Sequence, residues 1–392
     1  MRGILTQSNL DLLREIARLE SALSSVSVLP ELSAYHERIS KVCEALRKQG
    51  HQNLRDLNLN RDEILPDILS ETQKLANLFR LYNEHFASPI LRSLPSDRLC
   101  LRVITWLHAH HPETQNVPVA LNDGGFSIWP EPQLPIVYFM PPSRQYGLLY
   151  LPLFFHEFGH LLYACHKPEM DNLLVYELQE EISGLLEPIS QRDDLYAQED
   201  ARRRMAIAET WYEWTQELFC DTAGFTIGGP CFVNAFSMYL RMGGRDEFHL
   251  PRVKLEFSRH PVTWLRIQLL ADQARQIGWS AEADKLENEW DKIAATMGVI
   301  EDYYGFYDPS FLPSIRETLD DMLEEASPYR FTDRDVSSSE WEPDSSTPVH
   351  LLNRAWSIFL NDPSSYDSWE EQAISTFLAS TETTDHERKP TH

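Results

Sequence analysis

The chain has 392 residues, 42% of them hydrophobic and 24% charged, an ordinary globular balance with length for two or three folding units. Against 35 Lys and Arg stand 60 Asp and Glu, a formal charge of −25. This argues against the basic surface of a nucleic-acid binder or an anionic-membrane binder, so neither partner is expected.

The start, Met1-Arg2-Gly3-Ile4-Leu5, lacks the apolar stretch of a secretory leader. Five cysteines, Cys43, Cys100, Cys165, Cys220 and Cys231, are odd in number and scattered. That pattern suits a reducing cytoplasm better than a disulfide framework. Residues 8–23 place Leu12, Ile16, Leu19 and Leu23 at helical spacing. Residues 31–48 repeat the pattern with Leu32, Tyr35, Ile39, Val42 and Leu46, and residues 62–86 with Ile68, Leu75, Phe79, Tyr82 and Phe86. A helical N-terminal region over 1–95 is expected, a bundle or long hairpin able to serve a regulatory partner.

A further helix is expected over 97–108, after Ser96, with His108, His110 and His111 at its solvated end. The texture then changes. Short apolar runs at 117–121, 125–129 and 135–140 are separated by Asn122-Asp123-Gly124 and prolines. They predict a small antiparallel sheet.

Directly after the apolar segment Leu148–Phe155 stands His156-Glu157-Phe158-Gly159-His160. On a helix, this four-residue spacing sets both imidazoles on one face, where they can grip one metal ion. Glu157 falls beside the metal and can accept a proton from a zinc-bound water. A catalytic zinc site needs a third protein ligand. Glu217-Leu218-Phe219-Cys220-Asp221 offers Glu217 as that ligand and Asp221 as the carboxylate that holds a ligand imidazole by its other nitrogen.

Glu209, Glu213, Glu217 and Asp221 also form a ladder of acids four apart, a common pattern of a solvated helix face. A 3.6-residue helix overshoots by about 40° at each such step, so the ladder drifts and not all four can face one point. The apolar setting, with Trp211, Trp214, Leu218, Phe219 and Phe225, favours burial. Glu213 remains the alternative ligand. Cys165 and Cys220 are either surrogate ligands or small buried hydrophobes.

H-E-x-x-H followed by E-x-x-x-D resembles the signature of the gluzincin metallopeptidases, and the resemblance spans about residues 115 to 270. It implies one Zn²⁺ per chain, a zincin-like domain with a sheet just upstream of the metal helix, and a peptide or protein substrate. An edge strand of that sheet would pair with the extended peptide. Several gluzincins carry a downstream His or Tyr that donates to the oxyanion. His260 is similar in order, with Pro261 read as the first residue of a helix and Arg266 placed to orient a carboxylate or bind substrate.

Residues 175 to 300 read as mostly helical, with turns at Gly228-Gly229-Pro230 and Gly243-Gly244 and with no phosphate loop, dinucleotide fingerprint or nucleophile elbow. Tyr303-Tyr304 reads as core or as an oxyanion donor. Residues 333–348 read as an exposed loop, and Thr347-Pro348 as the cap and first turn of the next helix. Another helix is expected within 368–380, ahead of a polar, disordered last dozen residues.

The resulting expectation is an α+β, mostly helical chain in three regions: 1–95, a zincin-like domain over 96–332, and 333–392. The expected activity is peptide-bond hydrolysis with His156, His160 and Glu217 on zinc, Asp221 behind them, and Glu157 and His260 in catalysis. Three alternatives remain: a zincin inactive until triggered by a partner, a zinc amide hydrolase acting on a non-peptide substrate, and a scaffold whose motif is coincidental.

Overall fold

The structure, a computed structural model, describes residues 1–186, 194–343 and 345–387. Parts of three expectations lie outside the described residues: 187–193 of the helical stretch, 344 of the acidic loop and 388–392 of the polar tail. The chain divides into two compact units, Met1–Tyr146 and Gly147–His392.

In the first unit, α1 (Arg2–Ser25), α2 (Ser33–Asn58) and α3 (Leu65–Leu81) pack against one another. Their apolar stripes meet in two layers. Leu5, Leu57 and Ile68 form one, and Ile16, Leu46 and Leu75 form the other. The numbering rises along α1 and α3 and falls along α2, the signature of an antiparallel three-helix bundle. Between the layers lies a buried polar one. The Asn9 side-chain amide donates to Thr72 Oγ1 at 2.9 Å, and the Asn53 amide donates to Asn9 Oδ1 at 3.1 Å. Each helix contributes one member, so a slip of any helix would strand buried polar groups in an apolar layer.

A π-helical turn, Tyr82–Phe86, and α4 (Ser88–Leu91) lead to α5 (Asp97–Ala109), which packs on the sheet. His108 and His111 are buried, contrary to the expected solvated end. His108 Nε2 lies 2.8 Å from the Tyr138 hydroxyl, and burial pushes its pKa down to about 3. The sheet comprises β1 (Val119–Asp123), β2 (Ser127–Trp129) and β3 (Ile136–Met140), in the order β1-β3-β2. It is mixed, which corrects the antiparallel expectation: β1 runs parallel to β3 and β2 antiparallel to it. The cause lies at Gly124. Its N–H donates to the Met140 carbonyl at 3.1 Å, and a Cβ there would stand 3.1 Å from Phe139 Cβ. The chain therefore crosses over the end of β3 instead of doubling back beside β1.

The second unit is helical. Its elements are α6 (Leu153–Cys165), α7 (Lys167–Asn172), α8 (Gln179–Leu185), α9 (Asp194–Gly228), α10 (Pro230–Leu240), α11 (Arg252–Leu255), α12 (Thr263–Gln276), α13 (Ser280–Met297), α14 (Leu312–Ala326), α15 (Pro348–Asn361) and α16 (Pro363–Glu387). A π-helical stretch, Leu173–Leu178, joins α7 to α8. The long α9 is the spine, with α6, α8, α10, α12 and α14 packed on it. Thr347 caps α15 as its sequence implies, accepting from the His350 N–H at 3.1 Å. The loop before it is not wholly exposed. Asp335 is buried and accepts from the Tyr329 hydroxyl and the Thr332 N–H. No helix among the described residues is long and apolar enough to cross a membrane.

The polar layer of the bundle yields a prediction. Asn53→Leu alone should destabilise the N-terminal unit by about 1–3 kcal/mol, because Asn9 is left buried and underbonded. Replacing Asn9, Asn53 and Thr72 together by apolar residues should recover much of that loss. Chemical denaturation of the single and triple variants checks both, and additive losses would count against a shared network.

Candidate metal centre

The centre is built where α6 crosses α9. Apolar flanks from Leu153 to Tyr163 bury α6 almost completely. Gly159 is the point of closest approach: a Cβ at that position would stand 2.7 Å from Cys220 Cα and 3.2 Å from its Sγ. Any larger residue would hold the two helices apart.

This contact brings the two motifs face to face. His156 Nε2 lies 3.4 Å from Glu217 Oε2, and His160 Nε2 lies 3.7 Å from Glu217 Oε1. One ligand atom from each of His156, His160 and Glu217 falls within 4.8 Å of the others, so the three side chains could hold a metal ion. The two short separations run to different oxygens of the Glu217 carboxylate, which lies between the two imidazoles. The expected ligand set is thus brought together. Glu213, the alternative ligand, is exposed and outside the group.

The donor set also fits a cation on its own terms. Glu217 Oε2 is buried and has no aligned hydrogen-bond donor among the described residues. Three cation-forming nitrogens nevertheless surround it: His260 Nδ1 at 3.0 Å, His156 Nε2 at 3.4 Å and Arg266 Nη2 at 3.5 Å. Buried polar atoms of native proteins normally have partners, and an ion facing two imidazole Nε2 atoms would supply one here.

Behind the ligands stands a buried frame. Asp221 Oδ1 lies 2.9 Å from His156 Nδ1. Arg266 clamps Asp221 with two contacts, Nε to Oδ2 at 2.7 Å and Nη2 to Oδ1 at 2.8 Å. This is the bidentate geometry in which Arg binds carboxylates most strongly. Phe236 on α10 supports both, its ring 4.8 Å below the Arg266 guanidinium and 6.2 Å from the His156 ring. Asp221 and Arg266 thus take the positions their motifs imply. Phe236 escaped the sequence reading, since nothing in its own helix pattern marks it off from core.

His260 sits on the loop before α12, and its side chain is 60% exposed. The helix starts at Thr263, so Pro261 precedes it by two residues and is not its first position, a correction to the sequence expectation. The loop is held from both sides: the Trp214 indole N–H donates to the Ser258 carbonyl at 3.0 Å, and the Ser258 hydroxyl donates to the His260 carbonyl. Tyr303 and Tyr304 lie elsewhere, with their hydroxyls on Gln268 and His249.

The local field divides the two imidazoles. Burial opposes a charge on His156, but Asp221 and Glu217 outweigh it and push the pKa up to about 10. His160 goes the other way, to about 4, through burial and the nearby His156. Burial would raise Glu217, yet His156 and His260 hold it well below the usual carboxylate range. Burial would likewise raise Asp221, and Arg266 outweighs it. Glu157 is raised, by burial first, with Glu217 adding to it.

Cys220 takes the second of its expected roles, a small buried residue, with one polar contact besides. It is buried and outside the ligand group, but its Sγ lies 3.3 Å from His160 Nδ1. Burial pushes the thiol pKa well up, so the sulfur is neutral. Of the two Nδ1 atoms, Asp221 faces that of His156 and Cys220 that of His160.

Comparison with protein-family models, curated proteins and solved structures finds no match for this chain.

Two variants test the geometry. Gly159→Ala should cost about 1–3 kcal/mol of stability by overpacking and should weaken zinc binding as α6 moves off α9. Unchanged stability and affinity would mean that the helices do not depend on this contact. Cys220→Val keeps an apolar side chain in place but removes the sulfur beside His160. It should weaken zinc binding about 10–100-fold, the usual effect of losing a partner behind a ligand. An unchanged competition-measured Kd would reduce Cys220 to packing.

Proposed function

We propose that the protein is a zinc-dependent peptidase, with one Zn²⁺ per chain held by His156, His160 and Glu217. The observation that carries this reading is the meeting of three ligand side chains around a buried carboxylate oxygen that lacks an aligned donor. The resemblance of H-E-x-x-H and E-x-x-x-D to the gluzincin signature points to the same chemistry. Bound zinc supplies a Lewis acid and lowers the pKa of water.

The chain's own residues supply the rest. Glu157 is buried next to His156, and its carboxyl pKa is raised, which suits a proton carrier. It takes the proton of the attacking water on a carboxylate oxygen and delivers it to the leaving amine. His260 is half outside the protein while its Nδ1 rests against Glu217. Its exposed edge is available to donate to the substrate carbonyl oxygen as that atom gains charge. Asp221 and Arg266 lock His156 from behind, so the ligand does not reorganise during turnover. A cytoplasmic setting is part of the proposal, supported by five cysteines that are all free.

Elemental analysis and a proteome-wide search for new N-termini in cell extract test the reading together. Wild type should carry about one zinc per chain, and Glu217→Ala should lose it. Glu157→Gln should keep its zinc and produce new N-termini about 10²–10⁴-fold more slowly. A folded wild type that takes up no zinc on reconstitution would sink the proposal. Zinc binding without new N-termini would redirect it to an amide that is not a peptide bond.

A further inference from the structure

A cavity of about 180 Å³ lies in the second unit between α10 and α13, closed by the ends of α9, α12 and α15. It shares no residue with the metal centre. Its deep walls are apolar and aromatic: Phe225, Val233, Trp279, Leu286 and Trp356. Phe225 and Trp279 meet edge to face, with ring centroids 6.3 Å apart. The Trp356 indole N–H is already used, donating to the Leu149 carbonyl at 3.0 Å. The depth of the cavity therefore asks for an apolar group. Apolar cavities of about 150 Å³ accept a benzene ring, so one aromatic or branched aliphatic side chain fits this space.

The mouth is different. Arg241, Lys285, Glu282 and Glu289 stand around it. Their mutual contacts are loose. Arg241 Nη1 lies 3.5 Å from Glu289 Oε2, and Lys285 Nζ lies 4.0 Å from Glu289 Oε1. Charge-assisted bonds run at about 2.7–2.9 Å, so neither cation is closely neutralised, although Arg241 Nη2 also donates to the Met238 sulfur at 2.9 Å. Glu282 has no ion pair among the described residues. The mouth thus offers a planar guanidinium for a carboxylate and a carboxylate for an ammonium, above a pocket for one apolar side chain.

We propose that this cavity binds a free α-amino acid with an apolar or aromatic side chain. The side chain enters between Trp279 and Trp356, the ligand's carboxylate meets Arg241, and its ammonium meets Glu282. A simple carboxylate would leave Glu282 facing it unmatched, and a simple amine would leave Arg241 so. The zwitterion answers both charges at once. Nothing in this inference depends on the metal centre or on peptidase activity.

Calorimetric titration of the full chain tests it with four probes: L-phenylalanine, L-leucine, phenylacetate and 2-phenylethylamine. L-Phenylalanine and L-leucine should bind saturably, in the millimolar range or tighter, one molecule per chain. Phenylacetate and 2-phenylethylamine should bind at least about tenfold more weakly, each lacking one charged contact. Arg241→Gln, at a half-buried residue that also contacts Glu289 and Met238, should weaken L-phenylalanine about tenfold or more, with an unchanged helical circular-dichroism signal as the check on folding. Val233→Trp should fill the cavity and abolish binding, with an unchanged helical circular-dichroism signal as the check on folding. The proposal is overturned if neither amino acid binds, if phenylacetate or 2-phenylethylamine binds as well as L-phenylalanine, or if Arg241→Gln binds like wild type. Should Val233→Trp fail to fold, the Arg241→Gln comparison decides alone.

Discussion

The candidate metal centre depends on how closely α6 approaches α9, and that distance is set where Gly159 meets Cys220. Seen from this contact, the two motifs share one arrangement. His156 and His160 lie three residues before and one after Gly159. Glu217 and Asp221 lie three before and one after Cys220. Helical geometry puts positions at these offsets on one side of the contact. A single close crossing therefore aligns the imidazoles of His156 and His160 with the carboxylates of Glu217 and Asp221. The absence of a side chain at 159 is as much a part of the site as the ligands are.

Around the crossing, charge is balanced by geometry and not by solvent. Glu217 and Asp221 are buried carboxylates, and burial alone would neutralise them. Arg266 reaches both, at 3.5 Å from Glu217 and in a bidentate clamp on Asp221, with Phe236 under its guanidinium. One fixed positive charge for two carboxylates leaves a negative remainder that bears on His156, whereas burial and His156 itself hold the His160 pKa down. Asp221 and Glu217 push the His156 pKa up against the effect of burial, so the surroundings of that imidazole favour positive charge. Because a metal needs the neutral imidazole, metal and proton compete for the same place.

What was readable from the sequence follows from how local each feature is. The bundle helices, α5, the Thr347 cap and the ligand pairs at four-residue spacing depend on periodicities within one segment, and these the residues display directly. Features that depend on contacts between segments were not readable. Nothing in the sequence marks the contact that Gly159 makes with Cys220, or sets Phe236 apart from the core aromatics around it. The sheet misled for the same reason. Asn122-Asp123-Gly124 is a hairpin-like signal, but the close contact of Gly124 with Phe139, fifteen residues on, sends the chain over β3. His108 and His111 follow suit, since their burial, with His108 against the Tyr138 hydroxyl, is invisible in a cluster of three histidines.

The acidic ladder of α9 shows how such a choice is settled. Four carboxylates at equal spacing carry no local mark that sets one apart. Glu209 and Glu213 are exposed, whereas Glu217 and Asp221 are buried. Helical drift separates the ends of the ladder, but it cannot by itself choose which end goes inside. The neighbours choose. Leu218, Phe219, Cys220 and Ala223 are buried, and α6 packs over this stretch with Gly159 allowing the approach. An acid carried inward by apolar neighbours must find partners or lose its charge. Asp221 finds Arg266 and His156. Glu217 finds three nitrogens close by but no aligned donor for Oε2. Of the four acids it is the one that is both buried and grouped with His156 and His160 as a set that could hold a metal.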